Sequence, residues 1–494
     1  MRDKFLKDKF ILALVGTVIL ALFLRFVNYQ NRWGLAYDQA RDMLVASEAL
    51  RLGSLPLIGP FSSAGQFVYG PQWYWIIMYM INIFPYWVMG PWIIQTLLYV
   101  FVVFVMYLIG KEISDKRLGL ILAFLTAIST TQIALSTNLI SPSMAGIFSV
   151  ISVYFFVRFV KYGRNSDGFL LAFFVGNTIN IHFQAIGLLS LIPISFLFNN
   201  KRKIKQLLFL ALGLFIPFIP LLIFDLKTNF FESRNFLDYY LYGQNRIYVP
   251  NRWLTYLGVF WPKTWASIIG GYPLIGYLIV ISLALLTAWQ LVTRKISKAV
   301  FSLMIPFFLI VLMLRYYKGE IFGGYTAFLN PFILILTSFL IYEIFKTKKL
   351  LAFFLIGIIT VSTLYMNYQE IKFATNNTAK SAKYVRNFLV NKYPDTKFAV
   401  YDHKFAYATN SYALVLYLNQ DEKIDDKGMK VGFAFPDPKS KMRKDFPRIF
   451  YEGGFPEVYD LSASSSSELL KEKWIFVNPS EVYKTTVEWY KNKR

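Results

Sequence analysis

Cysteine is absent from the 494 residues, and histidine occurs twice, at His182 and His403. The first absence removes disulfides, thiolate nucleophiles and thiolate metal sites together. The second argues against a histidine-built metal centre. Acids are scarce too: 29 Asp and Glu face 52 Lys and Arg, giving a formal charge of +23. No P-loop or dinucleotide fingerprint lies between a strand and a helix, which disfavours nucleotide-driven chemistry.

Apolar residues are abundant: 56% of the chain is hydrophobic and 19% aromatic, with a mean hydropathy of +0.43. A soluble chain of this length would dilute its apolar residues with polar surface. Here long apolar runs recur, each about 17–22 residues, the length a helix needs to cross a bilayer. The basic residues fall in short clusters between those runs, as cytoplasmic loops facing anionic lipid do. That placement accounts for the charge without nucleic acid as a partner.

The basic breaks are 111–117, 158–164, 201–205, 294–298 and 346–349. If all are cytoplasmic, each interval between them holds an even number of crossings. Residues 117–158, 168–198, 206–293 and 299–345 each accommodate two. Residues 1–27 read as an uncleaved first span with its N-terminus inside. Parity then asks for one crossing over 70–109, with 71–86 at the outer interface and 88–109 spanning; two crossings there is the alternative. A final span, 349–367, carries the C-terminus outside. The expectation is an all-α polytopic membrane domain over 1–369 with about eleven helices. A small soluble α/β domain follows over 370–494, where short runs such as Phe398–Tyr401 and Trp474–Val477 read as strands. Ser464–Ser467 reads as a flexible loop.

On this topology the polar residues able to do chemistry gather on the outer face. The first outer loop, 28–69, carries Tyr37-Asp38-Gln39-Ala40-Arg41-Asp42 at the start of an amphipathic helix. Asp38 and Asp42 are four apart and share one helix face. Such a carboxylate can act as a general base, or simply cap the helix. The pair also leaves a divalent-cation site open, on a weak signal. Tyr69-Gly70-Pro71-Gln72-Trp73-Tyr74-Trp75 reads as an interfacial aromatic belt. His182 and Gln184 lie at a hairpin apex in apolar surroundings, where a histidine needs a partner or a task. The long outer loop, 225–271, interleaves Arg234, Arg246, Arg252 and Lys263 with aromatics, and Arg315 and Lys318 follow in the next outer loop. These cations suit phosphate contacts or headgroup anchoring.

A first span followed by an Asp-Glu-Ala-Arg-like motif, here Asp38-Gln39-Ala40-Arg41, resembles the GT-C glycosyltransferases. The nearest resemblance is to bacterial members of the protein-O-mannosyltransferase and aminoarabinose-transferase type. Residues 69–75, Leu139–Ser143, Ile181–Gln184 and Phe224–Lys227 resemble further family segments. The resemblance covers roughly residues 1–370. It implies a polyprenyl-phosphate-linked sugar as donor, inversion at the anomeric carbon and Asp38 as base. The family's second acid is Gln39 here, which hydrogen-bonds but carries no charge. That puts a protein acceptor in doubt, so a lipid or glycan acceptor stands beside it.

The resulting expectation is a multi-pass enzyme of a bacterial or archaeal cell membrane. Arg246, Arg252, Lys263, Arg315 and Lys318 are its candidates for the donor phosphate. Gln39, Arg41, Asp42, Tyr69, Tyr74, His182, Gln184 and Tyr325 are candidates for contacting substrate. No metal site or cofactor is assigned. A transporter of lipid-linked glycans should show paired halves or midplane charges, and neither is evident. A non-enzymatic assembly subunit would have no need of Asp38.

Overall fold

The computed structural model describes residues 9–62, 65–243, 252–293, 295–316, 323–403, 408–434, 447–450 and 457–493. The chain forms two compact units that interleave along the sequence. One comprises Met1–Tyr29, Phe61–Gln72 and Ile94–Phe373; the other comprises Gln30–Pro60, Trp73–Ile93 and Ala374–Arg494.

The first unit is helical. Among the described residues, eight helices are long and apolar enough to cross a membrane, or nine if the pair Lys116–Ile128 and Thr130–Thr137, bent by 56°, is one span. The roughly eleven crossings expected exceed this count because Asn165–Ile181, at 17 residues, and the broken Phe183–Phe198 fall below that length. Over 70–109 a 12-residue helix, Gln72–Ile83, precedes the 24-residue Gly90–Ile113. The shorter one cannot reach across a bilayer's hydrocarbon.

Helix Asn330–Thr347 runs through the middle of this unit, continuously buried from Asn330 to Tyr342. Peripheral helices expose apolar side chains instead, among them Leu208, Leu278, Phe353 and Val361. Exposed to water, such faces would cost about 25 cal/mol per Å². Facing lipid they cost nothing, and the helices satisfy their own backbone groups. Close approach is used where helices cross. A Cβ on Gly213 would lie 2.3 Å from the Phe169 carbonyl oxygen, so only glycine lets Lys205–Phe215 seat against Asn165–Ile181. The 56° bend frees carbonyls at the end of Lys116–Ile128. Buried Arg25 donates to the Ala127 and Thr126 carbonyls at 2.9 and 3.2 Å, and Asn367 donates to Ile128 at 2.8 Å. A cation also suits that helix C-terminus.

The second unit contains a five-stranded sheet: β1 (Phe398–His403), β2 (Met429–Ala434), β3 (Arg448–Phe450), β4 (Glu457–Asp460) and β5 (Trp474–Val477). The order is β3-β4-β2-β1-β5, with β1 and β2 parallel and the other pairs antiparallel. A parallel pair needs a long crossover, and helix Ala408–Gln420 lies within it. Ala399 and Tyr401 of β1 share a core with Tyr459, Leu461, Leu469 and Trp474. Gly432 leaves room for the Trp474 ring, which a Cβ there would meet at 2.5 Å.

The loop expected at Ser464–Ser467 is instead the start of helix Ser466–Lys471. Ser465 caps it, and Glu468 reaches back to the Ser465 N–H at 2.8 Å. This is the Ser-x-x-Glu capping box, which overrides the low-complexity look of the serine run.

Candidate active site

The motif falls on helix Tyr37–Arg51 of the second unit. Ala36 precedes it with no side chain to cap the first turn. Gln39 supplies the missing contact: its buried Oε1 accepts from the Ala36 N–H at 3.1 Å. The side chain expected to contact substrate therefore has a helix-capping task, which glutamine performs as glutamate would.

The two aspartates have opposite surroundings. Asp42 is buried, and both its oxygens are engaged. Oδ1 accepts from Arg41 Nε and Nη2 at 2.9 and 2.7 Å. Oδ2 accepts from the Trp73 indole N–H at 2.7 Å, and the Tyr74 hydroxyl lies 3.5 Å from Oδ1. Burial pushes the Asp42 carboxyl up from its ordinary value, against the pull of Arg41 and then of Trp73. Asp38 is 63% exposed and pairs with Arg41 Nη1 at 2.9 Å through Oδ1. No donor among the described residues reaches its other oxygen. Arg41 thus ties a buried carboxylate to an exposed one.

Residues from the end of the chain hold this helix in place. Tyr37 stacks on Tyr412, with ring centroids 5.2 Å apart at 28°. Arg51 donates to both oxygens of buried Glu48, which also accepts from Ser480. Burial works against Glu48 ionising, but the hydrogen bonds from Arg51 and Ser480 prevail and hold its carboxyl below the usual range. Trp75 donates to the Pro56 carbonyl at 3.0 Å, pinning the loop after the helix. Trp73 and Tyr412 were not singled out by the sequence. Trp73 lay within the supposed aromatic belt, and no spacing rule ties Tyr412 to a motif some 370 positions earlier.

In the first unit, the buried His182 ring lies between Tyr69 and Tyr325, at 5.3 and 5.5 Å between centroids. These three candidates do come together. Gly70 makes the approach possible: its N–H donates to the Asn180 carbonyl at 2.8 Å, and a Cβ would collide with the Asn180 side chain. Next to the trio, Tyr69, Phe67, Phe183, Tyr239, Ile310 and Met313 help line a mainly apolar groove of about 360 Å³. Gln184 also lines it, and its buried Oε1 has no hydrogen-bond partner among the described residues.

Arg315 lies between two groove residues, Leu314 and Tyr316, in the chain. Its guanidinium sits 4.5 Å from the Trp253 ring centroid, and its buried Nε has no hydrogen-bond partner among the described residues. Stacking fixes the plane and leaves N–H donors for an anion. Lys263 lines a different hollow. Arg252 opens the short helix Arg252–Thr255, while Arg246 and Lys318 lie outside the described residues.

Glu232 is a further polar group of this unit that the sequence did not mark. Its Oε2 accepts from the Val68 N–H at 3.0 Å. Burial pushes its carboxyl up to about 8, against the pull of that N–H and with a push from Asp225. Asp225, from the Phe224–Lys227 segment, accepts from the Glu232 and Ser233 N–H groups at 2.8 and 3.2 Å and so starts helix Phe231–Asp238.

Residues 69–224 match the family model described as dolichyl-phosphate-mannose-protein mannosyltransferase. No curated protein matches the chain by sequence. Among solved structures, it resembles ArnT from Cupriavidus metallidurans in the apo state, with TM-score 0.61 and 10% identity over 90% of this chain and 97% of that one. The same protein bound to undecaprenyl phosphate gives TM-score 0.60 and 11% identity over 91% and 98%. The Archaeoglobus fulgidus oligosaccharyltransferase AglB, with an inhibitory peptide and a dolichol-phosphate, gives 0.52 and 12% over 98% and 78%. These structures share the fold of this chain, and the resemblance to the GT-C glycosyltransferases is borne out, with its segment at 69–75 lying inside the family match. The family match begins at Tyr69, leaving the Asp38 motif to be judged by its geometry.

Proposed function

We propose that this protein is an inverting membrane glycosyltransferase, moving a sugar from a polyprenyl-phosphate donor to a hydroxyl of a lipid, glycan or protein. The observation that carries the reading is the state of Asp38: an exposed carboxylate on a helix fixed by a buried ionic lock. In the reaction, Asp38 takes the acceptor hydroxyl's proton as that oxygen attacks the anomeric carbon. The bond from that carbon to the phosphate oxygen breaks on the opposite face, and polyprenyl phosphate departs. Arg41 holds one Asp38 oxygen and leaves the other for the acceptor.

The first unit, taken by itself, has features that suit such a donor. Its groove is apolar enough for an isoprenoid tail, and Arg315 carries donors for the leaving phosphate's growing charge. ArnT has been solved with undecaprenyl phosphate and AglB with a dolichol-phosphate, which supports a donor of that class. The basic clusters favour a cytoplasmic N-terminus and an active face outside the cytoplasm. About eleven crossings then follow if Asn165–Ile181 and Phe183–Phe198 form a membrane hairpin.

The test is transfer from a polyprenyl-phosphate sugar by purified protein, comparing wild type with Asp38→Asn. A loss of about 10²-fold or more in kcat is expected, with the donor still bound. Undiminished transfer by the variant would overturn the base assignment.

A further inference from the structure

An exposed carboxylate paired with one arginine nitrogen is held loosely in water. A general base, however, must keep its free oxygen aimed at the acceptor hydroxyl. For Asp38 the stiffness has to come through Arg41. That guanidinium is planar, and Asp42 takes its Nε and Nη2 while Asp38 takes Nη1. It also lies 5.6 Å from the centroid of the Tyr37 ring. Tyr37 is 38% exposed, and with nothing against it the ring could change rotamer and leave the guanidinium.

Tyr412 prevents this. It is 7% exposed, and its ring stacks on that of Tyr37. Burial, then the interaction and hydrogen bond with the Tyr37 phenol, hold the Tyr412 phenol above its ordinary range, so it stays neutral. Tyr412 itself has a fixed footing. Ser411, just before it, donates to Asp402 Oδ2 of β1 at 2.9 Å, and both residues are fully buried. Ala413, Leu414 and Val415, just after it, are fully buried too. The sheet therefore fixes Tyr412, Tyr412 fixes the Tyr37 ring, and that ring fixes the Arg41 fork on which Asp38 rests.

We infer that Tyr412 is a positioning residue for glycosyl transfer: acting through Tyr37 and Arg41, it aims the Asp38 carboxylate without itself touching substrate. The inference rests on Asp38 being the base. It gives the sheet at the end of the chain a task in catalysis as well as in folding.

The experiment uses purified full-length protein, polyprenyl-phosphate hexoses and pentoses as donors, and a detergent extract of host membranes as acceptor. Release of polyprenyl phosphate is followed, and rates are expressed per folded molecule. Tyr412→Ala should lower kcat about 10–100-fold while KM for the donor stays within about twofold. Tyr412→Phe keeps the stack and should retain most of kcat. Val415→Ala unpacks the same helix and should lose Tm but keep kcat, which separates aiming from simple loosening. Tyr37→Leu breaks the stack at an exposed position, so it should fold and lower kcat as Tyr412→Ala does; it decides the matter if Tyr412→Ala does not fold. With Asp38→Asn inactive, wild-type kcat in Tyr37→Leu or Tyr412→Ala, or an equal loss in Val415→Ala, overturns the relay and leaves the base assignment standing. Undiminished transfer by Asp38→Asn overturns the base assignment and this inference with it, as does a wild type that turns over none of the donors.

Discussion

Asp42 should behave as a structural residue, although its neighbour four positions earlier is proposed to do the chemistry. Asp42→Ala removes the acceptor of two Arg41 donors and of the Trp73 indole, all within 2.9 Å. Trp73 is fully buried and the Arg41 side chain is 20% exposed, so neither finds ample water in exchange. Breaking one side of a buried pair costs about 3–5 kcal/mol. Trp73→Phe keeps most of the ring and loses one hydrogen bond to a charged group, about 1.5–3 kcal/mol. Because both changes act on one carboxylate, the double variant should cost less than their sum, with a coupling of about 0.5–3 kcal/mol. Asp38→Asn breaks only an exposed pairing, worth about 0–1 kcal/mol. Thermal or denaturant unfolding of the purified variants, with transfer rates measured alongside, separates these effects. The reasoning fails if Asp42→Ala abolishes transfer while leaving stability at the wild-type value, for Asp42 would then be acting on substrate. Strict additivity of Asp42→Ala and Trp73→Phe would dissolve the lock.

Glu232 gives stability a pH dependence with a definite sign. Its carboxyl titrates near 8 in the folded chain against 4.5 for an ordinary glutamate. The native state therefore holds the extra proton between those values, and stability falls as pH rises from about 4.5 to about 8. Unfolding followed across that range should show Glu232→Gln flattening this component; an unchanged slope would assign it elsewhere. Arg315→Ala should lower kcat/KM for the donor about 10–100-fold by removing a charge-assisted contact, and Arg315→Lys should recover little because the stack on Trp253 is lost. Steady-state kinetics at varied donor concentration checks this, and full recovery by lysine would refute it. Gly213→Ala should destabilise by about 1–3 kcal/mol, since the partner at 2.3 Å is a backbone oxygen. An unfolding midpoint equal to wild type would show that the two helices can part without cost.

The parts of the fold that depend on local composition were legible in the sequence. Apolar runs locate most of the spans because helix length and hydrocarbon thickness are matched. The strands at Phe398–His403 and Trp474–Val477 follow from short apolar runs between turn residues. The Ser465–Glu468 capping box was equally legible, and reading the serine run by composition alone obscured it. Broken elements are harder. The bend between Ile128 and Thr130 depends on Arg25 and Asn367 reaching carbonyls from distant parts of the chain.

Asp38 and Asp42 mark the boundary most clearly. Sequence by itself placed Asp38 and Asp42 on one face of one helix, since a spacing of four fixes that much. Which of them faces solvent was decided by Trp73, Tyr74 and Arg41, and which residues brace the helix was decided by Tyr412 and Ser480. Burial is a property of neighbours, and those neighbours come both from some thirty residues later and from the far end of the chain. Periodicity carries no record of them, so only the folded structure could tell the locked aspartate from the exposed one.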